Sequence, residues 1–351
     1  MEMKRALIRM ASALALALST AGCYDPYVMD YEYDGVYIAY QYDLRTFVIG
    51  EDMSFDFTVA LGGVIKNDRD RAVNVVLDNS LVNGDISCFS DTLKEYTAMK
   101  AIQSSTPALG AISNAYVRND IRAAGVTNLV PLPEDYYYFS PSLSKMTIRT
   151  GAHTGVVTVH ADSLYMMTDP DVFKPKYALG LRIASADADT VIRSKSFAVI
   201  AVRCENKFYG NWYHGGTTTE TDPDGGVVSR RAYPTVIPQS ESSMYVLTTA
   251  DASTLLTNRF ADGAGSLRLT FNGDEITVTD ASGRYDINPV PGKPSRFNGA
   301  PLLQNRKLFL NYRYTLPGGN IRTVCDTLTF RNRVRDGINE WQDENPEHYH
   351  M

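Results

Sequence analysis

The sequence predicts an all-β protein of two domains, in which a β-sandwich with a helical insert precedes an antiparallel meander that forms a barrel or a second sandwich. Short segments with apolar and polar residues in alternation run through most of the chain, which is typical of half-buried strands. Turn residues rather than helical crossovers separate these segments. The 351 residues, of which 44% are hydrophobic, are enough for two cores.

Residues 35–205 have the pattern of an immunoglobulin-like β-sandwich. Apolar residues alternate from Met53 to Leu61, and Gly62-Gly63 then turns the chain, which indicates a strand entering a hairpin. Seven or eight such strands over roughly 170 residues favour a Greek-key sandwich. The other predicted strands are Gly35–Tyr40, Arg71–Leu77, Tyr136–Phe139, Lys145–Arg149, Val156–His160, Tyr177–Ala184 and Ser196–Val202.

Residues 90–124 interrupt this pattern with two helical segments that Pro107 separates. Thr92 and Glu95 have the spacing of a capping box at the start of the first helix. The insert decorates the sandwich rather than completing it, so it is a place where function can lie. Its apolar residues at helical spacing are Leu93, Tyr96, Met99, Ile102, Ile112, Tyr116 and Ile121.

Residues 206–332 form the second predicted domain, an antiparallel β-barrel-like unit. The Asn272-Gly273 pair joins two alternating segments, and this pair suits a type I′ hairpin turn. Alternation continues over Leu308–Tyr314, and a further strand is predicted at Ile321–Phe330. Consecutive hairpins favour a meander, which must close as a barrel or pack as a sandwich. Residues 333–351 are predicted to be a polar tail.

Residues 1–22 are predicted to be a lipoprotein signal peptide. Lys4, Arg5 and Arg9 precede a short apolar run, Met10–Leu18, which is the order of a secretory leader. The small residues that end at Cys23 resemble the bacterial lipobox, which implies that the Cys23 thiol is lipidated. Thr20 departs from that motif, in which leucine is usual, and the alternative is an ordinary cleavage site before an unmodified cysteine.

Residues 23–34 are predicted to be an acidic, solvated tether. A short acidic segment after the lipidated cysteine resembles the export signal of Bacteroidetes surface lipoproteins. The resemblance implies a protein that is lipid-anchored in the outer membrane and exposed at the cell surface.

Charge and cysteine content exclude several classes of partner. The formal net charge is −6, and affinity for nucleic acid comes largely from basic residues on phosphates, so nucleic acid is excluded. Cys88, Cys204 and Cys325 lack the spacing of a zinc site, so no metal or cofactor is expected. We interpret them as buried thiols, and pairing of Cys204 with Cys325 stays open.

No sequence motif of a known catalytic class is present, and the protein is predicted not to be an enzyme. His348 and His350 lie in the terminal tail without a third ligand nearby in sequence. The segment Asp222–Gly226 lacks the spacing of a calcium loop and is predicted to be a hairpin turn. A glycosidase stays open as an alternative, because its paired carboxylates are recognised only by their separation in space.

Two family resemblances cover residues 35–341, nearly the whole chain after Cys23. The motifs of the first are Leu132-Pro-Glu-Asp-Tyr-Tyr137, Ile148 with Gly151, Val157-Thr-Val159 with Asp162, and Tyr177-Ala-Leu179 with Ile183 and Ala186-Asp187, and the second runs from Leu328 to Trp341. By these motifs the chain resembles the domain of unknown function 1735 and, at its C-terminal end, the domain of unknown function 4361. Both occur in Bacteroidetes surface lipoproteins encoded with polysaccharide-utilisation machinery, which implies capture of glycans beside a transporter complex.

Glycan sites pair aromatic ring faces with amides and carboxylates, and four aromatic residues are candidates for such a site. Trp212 and Tyr213 lie in a segment that resembles the first strand of lipocalin-like barrels, where a tryptophan plugs one end, so a plug is the alternative for Trp212. Tyr137 shares a tyrosine run with Tyr136 and Tyr138 but alternates to the opposite face, and core packing is its alternative. Trp341 lies beside Asn339, Glu340 and Gln342, and a cap on the barrel is its alternative.

Three functions follow from these expectations. The favoured one is a non-catalytic surface lipoprotein that binds a polysaccharide or oligosaccharide, with the first domain as spacer and the second as binder. The second is a structural or adhesive outer-membrane protein that docks a transporter or a sibling lipoprotein. The third is a glycosidase.

Overall fold

The computed structural model describes residues 33–51, 53–82, 115–233, 244–261, 263 and 265–343. Within these ranges the protein is all-β, as predicted, with 22 strands in three sheets. Two α-helices accompany them, α1 at Ala115–Ala123 and α2 at Ser163–Met166. Neither helix is long and apolar enough to cross a membrane. The signal peptide, Cys23, residues 24–32 of the tether and the first helix of the insert lie outside the described residues.

The first domain is a sandwich of two sheets with the strand order of an immunoglobulin fold. One sheet has the order β10-β1-β3-β8-β6, and the other β2-β11-β9-β4-β7 with β5 beside β9. The strands are β1 Gly35–Tyr37, β2 Tyr42–Ile49, β3 Ser54–Gly62, β4 Arg71–Leu77, β5 Val130–Pro131, β6 Tyr137–Ser140, β7 Met146–Ile148, β8 Thr154–Ala161, β9 Tyr177–Ala186, β10 Thr190–Val191 and β11 Phe197–Asn206.

Strand β2 was not predicted, because its buried residues do not alternate. Phe47 points into the sandwich core, whereas Leu44 packs with α1 and Val48 packs with the core of the second domain. A strand covered on both faces has a nearly continuous run of buried residues instead of a period of two. β2 pairs in parallel with β11 over eight positions, from Tyr42–Val199 to Ile49–Asn206.

Helix α1 is the described part of the predicted helical insert. Val117 and Ile121, one turn apart, are buried against the outer face of the six-stranded sheet. Arg203 on β11 forms an ion pair with Asp120 at 2.6 Å and donates to the Tyr116 hydroxyl at 3.1 Å. The helix is therefore held to the sandwich by both apolar packing and charge.

The second domain is a meander that curls into a barrel. Each strand from β14 to β17 pairs with the next, the chain continues through β19 and β20 to β21, and β21 pairs with β12 over eleven positions, which joins the two ends of the meander. The strands are β12 Gly210–Thr221, β13 Val227–Tyr233, β14 Tyr245–Thr249, β15 Thr254–Thr257, β16 Leu267–Asn272, β17 Glu275–Asp280, β18 Asn288–Pro289, β19 Arg296–Phe297, β20 Lys307–Thr315, β21 Ile321–Arg335 and β22 Ile338–Glu340.

Two predicted turns are found in the barrel. The predicted hairpin at Asn272-Gly273 is present, but its turn is not of type I′. Asn272 pairs with Glu275, so Gly273 and Asp274 are the central residues, and only Gly273 has a positive φ, 61°, as in a type II′ turn. The Asp222 carboxylate accepts a hydrogen bond from the Gly226 backbone N–H at 2.7 Å, which closes the β12–β13 hairpin.

The structure corrects two predicted boundaries, the end of the tether at residue 34 and the end of the second domain at residue 332. Asp34, the last residue of the predicted tether, is buried and pairs with the buried Arg71 at 2.6 Å, so it belongs to the sandwich. At the other end, β21 passes the predicted limit at residue 332 and reaches Arg335. An Asp336-Gly337 turn with φ of 51° and 82° then returns the chain as β22. Residues 333–340 therefore form a hairpin rather than the start of a tail.

Buried charges join the two domains. The Glu51 carboxylate, which follows β2, accepts hydrogen bonds from Arg306 at 2.8 Å and from Arg333 at 2.7 Å. Arg333 also donates to Glu340 at 2.5 Å. Burial disfavours the charged form of Glu51, but the two guanidinium groups outweigh it and lower the pKa of Glu51 below its ordinary value. We call these four residues the Glu51 cluster.

Cys204 and Cys325 are free thiols in different domains, and Cys88 lies outside the described residues. Cys204 is fully buried beside the Met166 sulfur at 3.8 Å, and burial raises the pKa of its thiol to about 12. Cys325 is only half-buried. Cys204 is therefore buried, as predicted, whereas Cys325 is not.

Candidate functional site

Trp212 lies in the barrel core and offers no ring face to a ligand. Its side chain is 0% exposed, its indole N–H donates to the Phe208 carbonyl at 3.0 Å, and its ring meets Phe330 edge-on at 5.4 Å. Trp212 is therefore a core residue of the barrel, and its buried ring is not available as a glycan contact.

Tyr137 is also buried, and the exposed ring of the tyrosine run belongs to Tyr138. Tyr137 packs edge-on against Phe139 at 5.4 Å, whereas Tyr138 is 56% exposed and stacks on His160 at 4.8 Å. Alternation shows which residues share a face of a strand, but it does not show which face meets the core. The candidate Tyr137 is therefore corrected to a core residue of the sandwich.

Tyr213 is half-buried on β12, next to Trp212. The Arg331 guanidinium lies over its ring, 6.0 Å from the centroid. One face of the ring is therefore already covered by a cation, which leaves Tyr213 a weaker stacking surface than a free ring.

Trp341, directly after β22, is the remaining candidate, and it is 57% exposed. It borders an open cavity of about 430 Å³ where the β21–β22 hairpin meets the Glu51 cluster. The residues predicted to accompany it, Asn339, Glu340 and Gln342, line the same cavity. The other lining residues are Glu51, Leu303, Arg333, Arg335, Ile338 and Asp343.

The segment that carries Trp341 is anchored on both sides. On one side the Glu340 carboxylate is held by Arg333. On the other, the Asp343 carboxylate accepts from the Leu303 backbone N–H at 2.6 Å, and the Asp343 N–H donates to Gln304 at 3.1 Å. These bonds fix the indole at the cavity rim without covering it.

Amide groups beside the indole are available to a ligand. The Asn339 side-chain oxygen accepts from the Asn332 amide at 2.6 Å, which orients the Asn339 side chain. Within the described ranges, the Asn339 NH₂ group and the Gln342 side chain make no hydrogen bond of their own. The cavity therefore combines an exposed aromatic face with oriented and free amides.

Asp336, at the turn of the same hairpin, is a half-buried acid whose pKa is raised. Burial raises the pKa of Asp336 to about 6, although a hydrogen bond with Thr46 and the charges of Arg45 and Arg335 oppose the shift. One of its carboxylate oxygens, Oδ1, has no hydrogen-bond partner among the described residues. Asp336 lines a second cavity, of about 320 Å³.

A buried polar cluster in the barrel interior was not predicted. Asp326 receives hydrogen bonds from Tyr233 at 2.9 Å and lies 3.1 Å from His214 Nε2, and burial raises the pKa of Asp326 despite these partners. The Tyr245 hydroxyl is 3.5 Å from the same carboxylate. The four side chains of the cluster contact one another and come from β12, β13, β14 and β21. In the part of the chain that the structure describes, no three potential ligand side chains are grouped to hold a metal.

The fold resembles that of solved Bacteroides proteins. A Bacteroides ovatus protein of unknown function matches with a TM-score of 0.61 at 18% identity, over 90% of this chain and 99% of that one. A multidomain B. ovatus protein including DUF1735 matches with a TM-score of 0.41 at 11% identity, over 88% of this chain and 100% of that one. No family model and no curated protein matches the chain. The chain therefore shares its two-domain fold with a Bacteroides protein of unknown function.

Proposed function

We propose that the protein is a non-catalytic surface lipoprotein that binds glycan for a polysaccharide-utilisation system. The observation that carries the proposal is the exposed, anchored Trp341 at the rim of a 430 Å³ cavity that also holds free amide groups. This volume is within the range of about 300–1,000 Å³ of small-ligand sites.

The chemistry of the cavity suits a sugar. The indole face can pack against the C–H face of a pyranose ring, and it remains in place when the site is empty because the flanking residues are anchored. Asn339 and Gln342 can donate to and accept from sugar hydroxyls. The carboxylates of Glu51 and Glu340 are engaged by Arg333, so they serve the architecture of the site rather than proton transfer.

The location at the outer membrane is supported by the sequence alone. The basic leader, the small residues before Cys23 and the acidic segment after it resemble a Bacteroidetes lipoprotein signal. The resemblance in sequence to the domains of unknown function 1735 and 4361 supports the same assignment.

The mature chain without its lipid, beginning at residue 24, tests the proposal on native gels that contain plant, mucin or yeast polysaccharides. We expect one class of polymer to retard the protein, and we expect Trp341→Ala to abolish that retardation. Tyr33→Ala is the matched control, because it removes a comparably exposed aromatic ring that lines neither cavity.

Three outcomes contradict the proposal. Migration unchanged by every polymer in the panel argues against glycan binding. Retardation that survives Trp341→Ala places the site elsewhere. Retardation accompanied by a fall in polymer size indicates a glycosidase.

A further inference from the structure

The Trp341 cavity is one end of a longer groove along the domain junction. The cavity shares Arg335, Ile338 and Glu340 with the second cavity, that of Asp336, so the two adjoin. The opposite wall of the second cavity is the sandwich, through Ser54 and Asp56 of β3. The groove therefore crosses from the barrel hairpin onto the first domain.

A third cavity continues the groove over the sandwich. It has a volume of about 250 Å³ and shares Arg45 and Asp56 with the second. Tyr40 borders it, and this side chain is 63% exposed. The groove therefore has an exposed aromatic ring at each end, Trp341 on the barrel side and Tyr40 on the sandwich side.

The length of the groove exceeds that of a single sugar pocket. Ser54, Asp56 and Thr58 alternate onto one face of β3 and span roughly 13 Å of its floor. The chain from Ile338 to Trp341 extends the groove by up to roughly 10 Å at strand-like rise. The smallest cavity is below the usual volume of a ligand site, so it is better understood as part of a longer one.

Polar groups line the middle of the groove. Asp56 is oriented by the Thr158 hydroxyl at 2.8 Å, and Arg45 by Asp43 at 2.8 Å. The Arg335 guanidinium makes no hydrogen bond or ion pair with another side chain in the described ranges, so all its donors are free for a ligand.

The charge of the groove disfavours an acidic polymer. The second and third cavities hold two guanidinium groups and four carboxyl groups, those of Asp43, Asp56, Asp336 and Glu340. A polyanion would meet like charge over most of this length. A neutral polymer meets only hydrogen-bonding groups.

We propose that the groove from Trp341 to Tyr40 binds an internal stretch of a neutral polysaccharide, several sugar units long, across both domains. This inference rests on the proposed function and extends it. The sandwich then contributes directly to binding, in contrast to the spacer role expected from the sequence.

A length series of oligosaccharides tests the inference. The probes are the disaccharide to the octasaccharide of the polymer that retards the wild-type protein, with affinity measured by calorimetry. We expect wild-type affinity to rise with length until the groove is filled. Tyr40→Ala should leave affinity for the shortest probes unchanged and lower affinity for the longest by about three- to tenfold, as expected for the loss of one aromatic contact.

A second variant and a control accompany Tyr40→Ala. Thr58→Arg introduces bulk into the third cavity from an exposed position and should give the same length-dependent loss. Tyr33→Ala, at an exposed ring that lines none of the three cavities, should bind every probe as the wild type does. Unchanged melting temperatures establish that all three variants are folded.

The outcomes separate the inference from the function on which it rests. If Tyr40→Ala and Thr58→Arg bind the octasaccharide as the wild type does, the groove ends on the barrel and the inference is overturned while the proposed function stands. Tighter retention by polygalacturonan than by any neutral polymer overturns the assigned ligand class. If no polymer retards the wild-type protein, the proposed function fails and this inference fails with it.

Discussion

At the scale of single residues, Asp336 combines a left-handed backbone with a half-buried carboxyl group. The Asp-Gly turn needs positive φ at both positions, which aspartate tolerates better than most residues. The turn places the carboxyl group at the domain junction, where burial raises the pKa of Asp336 to about 6 from its ordinary 3.8. The folded state therefore binds this proton more tightly than the unfolded state does.

Asp336→Asn should stabilise the protein at neutral and alkaline pH. Above about pH 6 the wild type carries the cost of a buried charge, and the pKa difference corresponds to about 2–3 kcal/mol. This cost shrinks as the pH falls from about 6 to 3.8, and it disappears only below 3.8, where the carboxyl group is protonated in both states. Asparagine keeps the shape and tolerates the backbone angle.

Urea unfolding of the wild type and Asp336→Asn from pH 4 to pH 8 measures the difference. A difference in the free energy of unfolding between Asp336→Asn and the wild type that grows with pH agrees with the raised pKa of Asp336. A difference that is independent of pH would show that the charge of Asp336 does not contribute to the change in stability.

The aromatic candidates show how far the exposure of single side chains could be predicted from the sequence. Trp341 was predicted to be exposed because its neighbours in sequence are polar, and it is exposed. Tyr137 was misplaced because the strand period relates neighbouring side chains without orienting them to a core. Tyr40, the exposed aromatic residue at the sandwich end of the groove, had no sequence signal, because its proposed role depends on cavities formed by strands that are distant in sequence.

At the scale of elements, the Glu51 cluster joins the end of β2 to the β21–β22 hairpin. Glu51→Gln should destabilise the protein by about 3–5 kcal/mol, since it leaves the buried Arg306 without its anion and Arg333 with Glu340 alone. The pKa of Glu51 is lowered on folding, so its contribution is present above pH 4.5 and is lost as the pH falls through the lowered value.

Calorimetry at pH 7 measures this loss, and we expect the single transition of the wild type to separate into two as the domains uncouple. Asp70→Asn is the control, because the Asp70–Arg149 pair is exposed and should leave the melting temperature unchanged. Equal effects of the two substitutions would contradict a coupling role for Glu51.

The missed elements have identifiable physical causes. β2 does not alternate because three different neighbours cover it, and none of these neighbours is visible in the local sequence. β22 carried a usable signal, the Asp336-Gly337 pair, but its polar residues suggested a tail. The Asn272-Gly273 hairpin was predicted because its turn and both strands agree locally.

At the scale of the whole molecule, the all-β class and the two-domain order could be predicted because they follow from local alternation. The choice between barrel and sandwich could not, since it depends on β12 pairing with β21 about a hundred residues later in the chain. The groove could not be predicted from the sequence either. It depends on the relative position of the two domains, which the Glu51 cluster sets.

The parallel pairing of β2 with β11 has a mechanical consequence. A load carried between the N-terminal end of the sandwich and the barrel pulls these strands in opposite directions along their length, so all eight register positions resist together. Under the proposed function, a lipid anchor at the N-terminal end and a polymer bound at the barrel would load the chain in this direction. We expect that force microscopy with handles at Tyr33 and Phe208 requires a higher rupture force than handles at Leu267 and Asp280, which open the β16–β17 hairpin one bond at a time. A lower force for the first pair would contradict shear loading of the β2–β11 ladder.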